Sequence, residues 1–116
     1  NHANEIDGDT AQAIQRMRAA GMTLLNQAVL LRGVNHKLEQ LIDLSEALGD
    51  QGVIPYYLHV LDRVRGAHHF HVADADAQQL VGRMLTRLPG FLVPRLVREV
   101  AGEAAKVPIH VDLVSA

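Results

Sequence analysis

Three helix-forming segments, each closed by a glycine and followed by an unbroken apolar run, recur about every 30 residues, the size of one β–α unit. This rhythm admits few folds. The first helix is expected over Thr10 to Ala20, capped by Asp9 or Thr10, with Ile14, Met17 and Ala20 at helical spacing. The second is expected from about His36 to Leu48, with Asn35 as cap and Leu38, Leu41, Ile42, Ser45 and Leu48 on one face. The third is expected from about Ala75 to Leu88, capped by Asp74 or Asp76. Its apolar stripe is Ala77, Leu80, Val81, Met84, Leu85 and Leu88.

Gly21 precedes MTLLNQAVLL, Gly52 precedes VIPYYLHVL and Gly90 precedes FLVPRLVREV. Glycine takes the left-handed conformation that ends a helix, so each is expected to stop one. The apolar runs do not alternate, as befits strands buried on both faces of a parallel sheet. Val107 to Val114 does alternate, and is either one more strand or an irregular tail. The order α–β–α–β–α–β leaves two architectures, a slice of a β/α barrel or a short doubly wound sheet. No GxGxxG or GxxxxGK[ST] is present to support a nucleotide-binding open sheet.

Composition narrows the chemistry. Hydrophobic residues make up 48% but aromatics only 3%, so aliphatic side chains must fill the core. The net charge of -2 offers no basic excess for nucleic acid or an anionic membrane. The apolar runs fall well short of the ~20 residues that span a bilayer. With no secretory signal visible, a cytoplasmic setting is expected. The chain has no cysteine, which excludes disulfides, thiolate zinc sites, cysteine nucleophiles and cysteine-ligated iron–sulfur clusters within it. It opens NHANEID without an initiator Met, as an internal fragment or a trimmed terminus would.

Polar residues gather toward or just beyond the ends of the strand-like runs, where a β/α barrel carries its chemistry. They are Asn26 and Gln27, then Arg32 and Asn35; Tyr56, Tyr57 and His59, then Asp62; and Arg98 and Glu99, followed by AGEAAK with Lys106. Asn26, Gln27 and His59 each also read as hydrogen-bonded core residues. His68, His69 and His71 lack a carboxylate or cysteine at a familiar ligand spacing, so no metal site is assigned there. Lys106 reads either as a solvated surface lysine or as a Schiff-base lysine following small residues that permit close backbone approach.

Four blocks carry a resemblance: NHANEI at the start, LLNQAVLLRGVN at 24–35, PYYLHVLDRVRGAHHF at 55–70 and FLVPRLVREVAGEAAK at 91–106. In order and spacing they resemble the C-terminal half of the lysine 2,3-aminomutase family. Their wording is most similar to the branch that makes β-lysine for elongation factor P, and less so to the free-lysine enzymes. The resemblance implies the C-terminal portion of a radical S-adenosylmethionine partial β/α barrel, parallel strands alternating with helices. Residues 1–106 would form the barrel portion and 107–116 a tail. It implies an isomerase that moves the α-amino group of L-lysine from C2 to C3, using pyridoxal phosphate, S-adenosylmethionine and a [4Fe–4S] cluster.

Family roles fall on particular positions. Lys106 matches the pyridoxal-phosphate lysine. Asp62 matches an acid that pairs with the distal ammonium of substrate lysine. Glu99 stands where the free-lysine enzymes have a second such acid, an Asp. Asn26 and Gln27 match the family's NQ dipeptide that faces the cofactor. Departures are the glycine-rich run before the lysine, which keeps only Gly102, His36 where an Asp is common, and Ala28 where a Ser is common. The cluster cysteines are absent, so the resemblance implies a fragment that is inactive alone. Elongation factor P would be a partner only through the β-lysine product, and a homo-oligomer is possible. Rival readings are a non-catalytic barrel fragment that self-associates, a free-lysine aminomutase, and a different β/α-barrel enzyme with Lys106 on its surface.

Overall fold

The computed structural model describes residues 1–61, 68–99 and 106–113. Helices α1 (Gly8–Ala19), α2 (Leu38–Asp50) and α3 (Asp74–Arg87) alternate with strands β1 (Leu24–Leu30), β2 (Val53–Val60) and β3 (Arg95–Glu99). A short β4 (Lys106–Pro108) follows. The sheet order is β1-β2-β3-β4, with β1, β2 and β3 parallel and β4 antiparallel to β3. The protein is thus α/β, as expected. The expectation of alternating helices and parallel strands holds, and the segment starting at Lys106 adds a reversed strand before the chain becomes irregular at Ile109.

Doubly wound sheets reverse their strand order at a switch point and carry helices on both faces. Here the parallel strands run in chain order, and the core lies on one face. Ala28, Leu30, Leu58, Val60 and Leu96 from the strands meet Ile14, Leu41, Ile42, Leu44, Leu48, Ala77, Val81 and Met84 from the helices. The opposite face leaves Leu25 53% and Ile54 41% exposed. Strands in chain order with helices on one side form the wall of a β/α barrel, whose other side is the lumen. The structure is compatible with such a partial barrel. The runs do alternate in burial after all; Leu25 and Ile54 kept them reading as unbroken apolar stretches although no helix covers these two residues.

Local chemistry sets the boundaries, and several caps differ from expectation. Asp7, rather than Asp9 or Thr10, caps α1, its carboxylate accepting the Thr10 N–H at 2.9 Å. Helix α2 starts after Lys37, whose N–H donates to Oε1 of Gln40 at 3.3 Å, so Asn35 is not its cap. Helix α3 starts after Ala73 without a side-chain cap, and Asp74 and Asp76 lie in its first turn beside the positive end of the helix dipole. Gly21 and Gly52 have φ of 86° and 75°, as helix-ending glycines should. Gly90 does not. Helix α3 has already ended at Leu88–Pro89, and Gly90 opens a short 3-10 turn, Gly90–Leu92. Phe91, expected inside the third strand, is 71% exposed. Strand β3 begins only after Pro94, which has no N–H to give a ladder.

Candidate functional site on the uncovered face

One irregularity decides which side chains reach the uncovered face. The β1–β2 register runs Leu24↔Val53, Leu25↔Ile54, Asn26↔Pro55, then jumps to Gln27↔Tyr57. Tyr56 is therefore an extra residue, a bulge on β2. Before it, Val53 and Pro55 face the helices; after it, Leu58 and Val60 do. Strict alternation from Val53 would have turned residues 57 and 59 toward the helices. The bulge turns Tyr57 and His59 to the other face, alongside Gln27.

These side chains interact. The His59 ring nitrogen Nε2 donates to Oε1 of Gln27 at 3.1 Å. The Tyr57 and His59 rings are 5.9 Å apart, and the Tyr56 and Tyr57 rings meet edge to face at 4.5 Å. Lys106 opens β4, and its ammonium lies 5.2 Å from the centre of the Tyr57 ring. A strip of polar and aromatic groups therefore crosses the sheet from β1 through β2 to β4. The ladder sets Glu99 directly opposite Lys106, where β3 ends. The buried Val97 sits between the positions of His59 and Pro108.

The residues singled out in the sequence are distributed as follows. Gln27 and Lys106 both belong to the strip. Asn26 is half-buried and alternates with Ala28 and Leu30, on the helix-covered side of β1. Asp62 lies outside the described residues. Glu99 is placed by its backbone, as the ladder partner of Lys106. His71 is held by structure: its Nδ1 donates to the Leu61 carbonyl at 3.1 Å, and its own carbonyl accepts from Nε of Arg32 at 3.0 Å. Among the described residues, no three metal-ligating side chains gather.

Three residues have roles that the sequence reading missed. Tyr57 read there as a polar break in an apolar run, and His59 as such a break or a hydrogen-bonded core residue, because a bulge leaves no period that alternation can detect. Asn35 read as a cap. It is instead fully buried behind the β1 exit. Its amide donates to the carbonyls of Val29 at 2.9 Å and Asn1 at 2.8 Å, while its Oδ1 accepts the Leu31 N–H at 2.7 Å.

A one-sided parallel sheet with a lysine and hydrogen-bonded polar groups on its uncovered face is compatible with a piece of a β/α fold. Over nearly its whole length the chain is homologous to curated L-lysine 2,3-aminomutases, and it belongs to the lysine 2,3-aminomutase family. It is 53% identical to the L-lysine 2,3-aminomutase of Escherichia coli across 97% of the chain and 33% of that protein. It is 49% identical to that of Haemophilus influenzae across 91% of the chain and 31% of the relative. It is 33% identical to that of Clostridium subterminale across 98% of the chain and 27% of the relative. The chain thus spans about a third of the length of the curated relatives it matches. No family model matches it.

Proposed function

We propose that this chain supplies the pyridoxal-phosphate and substrate side of an isomerase that converts L-lysine to β-lysine. The observation that carries the reading is the arrival of Lys106, from the far edge of the sheet, on the same face as Gln27, Tyr57 and His59. Those residues fit the cofactor: an amine to join its aldehyde, an aromatic ring beside that amine, and an amide–imidazole pair within the same strip. Lys106 is the attachment residue and Gln27 a cofactor contact; Asn26, on the helix-covered side of β1, is not carried over as a second contact. Bound there, pyridoxal phosphate would supply a conjugated system that lets nitrogen pass between adjacent carbons.

The protein's own part is to bind and orient. Asp62 and Glu99 hold the distal ammonium of the substrate lysine between two carboxylates. Charge-assisted bonds at that end fix a floppy chain so that C2 and C3 keep one position. Glu99 is one methylene longer than the Asp of the free-lysine enzymes, which shifts its carboxylate; the wording of NHANEID, LLNQAVLLRGVN and YYLHVLD is what favours the elongation factor P branch and indirect supply of that factor with β-lysine. S-adenosylmethionine and a [4Fe–4S] cluster belong to the complete reaction. No residue of this chain fits the cluster, which needs thiolates. Absence of a helix long and apolar enough to cross a membrane among the described residues accords with action in the cytoplasm.

The test uses the small number of lysines. The sequence holds only Lys37 and Lys106. Incubation with pyridoxal phosphate, borohydride reduction and peptide mapping should give an adduct chiefly at Lys106. An adduct confined to Lys37 overturns the reading. A second reading, a non-catalytic fragment that self-associates, is favoured by Leu25 and Ile54 on the uncovered face. Light scattering decides it: a monomer at all accessible concentrations sinks it.

A further inference from the structure

We propose that Tyr57 is a positioning residue for Lys106: its ring seats the ammonium on the uncovered face, and the bulge at Tyr56 sets where that ring stands. The role rests on the reading of Lys106 as the cofactor lysine and says how its ammonium is positioned before the cofactor arrives. A lysine arm has four methylenes and many rotamers, and β4 is only three residues long at the edge of the sheet. Its backbone alone fixes the amine poorly. The Tyr57 ring, 5.2 Å from Nζ, offers a broad negative face on which the charged form rests.

The ring is itself held from two sides, edge to face by Tyr56 at 4.5 Å and by the tilted His59 ring at 5.9 Å. His59 is in turn fixed by its bond to Gln27. Without the extra residue in β2, the ring would point into the helix-side core and no seat would exist. The bulge is thus the device that delivers an aromatic surface to the amine.

The experiment is nuclear magnetic resonance on the 116-residue chain labelled with carbon-13 at lysine, where Lys37 is the internal reference. A lysine over a ring has its Cε methylene signal moved upfield. The shift should be present at Lys106 and absent at Lys37, persist in Tyr57→Phe, and vanish in Tyr57→Leu. Lys106→Gln, a change in a short edge strand, should move the Tyr57 ring signals. In borohydride trapping, the Lys106-to-Lys37 adduct ratio should fall about two- to fivefold in Tyr57→Leu and be kept in Tyr57→Phe. An upfield shift that survives Tyr57→Leu, or Tyr57 signals unmoved by Lys106→Gln, overturns the seat. Equal trapping at both lysines in the parent chain, with the upfield shift intact, supports the seat and overturns the cofactor reading.

Discussion

Asn35 makes three hydrogen bonds from complete burial, and two of the groups it satisfies, the Val29 carbonyl and the Leu31 N–H, belong to β1 or its exit. Truncation to alanine leaves those groups without that partner. Each such loss in the interior costs about 1–3 kcal/mol. Asn35→Ala should therefore lower stability by roughly 2–4 kcal/mol, read as a fall in the urea midpoint at unchanged slope; a shift near zero would mean that water replaces the amide. Asp7 acts at the other extreme of exposure. The Thr10 backbone N–H, first among its hydrogen bonds, holds the Asp7 carboxyl below its ordinary value of 3.8. A depressed folded value adds stability above the unfolded value and loses it as pH falls through the folded one. Asp7→Ala should hence lower the melting temperature at neutral pH, with the gap to the parent narrowing below about pH 3.8. An unchanging gap would make the cap independent of charge. Neither role was read from the sequence, which put the α1 cap at Asp9 or Thr10 and made Asn35 the α2 cap. An Asx residue ahead of a helix announces a cap, but whether its side chain turns to the helix or to a buried strand end depends on tertiary contacts that no local pattern contains.

At the scale of elements, Arg98 near the end of β3 pairs with Asp74 in the first turn of α3, tying the strand that precedes Lys106 to the helix that crosses over to it. The two side chains are 39% and 46% exposed, so water screens the pair and its coupling should be only about 0.5–1 kcal/mol. A double-mutant cycle with Arg98→Ala and Asp74→Ala measures this directly, and a coupling of zero removes the pair as a tie. The helices and the parallel strands were legible because their apolar spacing is set by one-sided burial, which the sequence must encode residue by residue. What was not legible follows from interactions between elements. The extra Tyr56 depends on how β1 and β2 register. The late start of β3 depends on Pro94, whose effect on a mostly apolar run was hidden by Phe91 and Leu92 before it. The reversal at β4 depends on pairing with β3, and a three-residue strand has too little pattern to announce its direction.

At the scale of the whole molecule, one face of the sheet is sealed by helices and the other carries both the polar strip and exposed aliphatic side chains. Such a face suits a barrel lumen, where further strands close the curve and exclude water from the chemistry. The chain spans about a third of its relatives. It brings the amine of Lys106, Gln27 and the backbone position of Glu99 to the rim of that face. It has no cysteine, so it offers no thiolate to the cluster that the proposed reaction calls for. Cofactor attachment and turnover should therefore separate in this chain. Given pyridoxal phosphate, it should be trapped at Lys106. Given iron, sulfide, S-adenosylmethionine and L-lysine as well, under anaerobic reduction, it should form no β-lysine detectable by chromatography with mass detection. Trapping without turnover is the outcome that the division of labour requires. β-Lysine formation by the 116 residues alone would mean that the radical step needs no cysteine-held cluster, and the assignment of this piece to the binding side would fall with it.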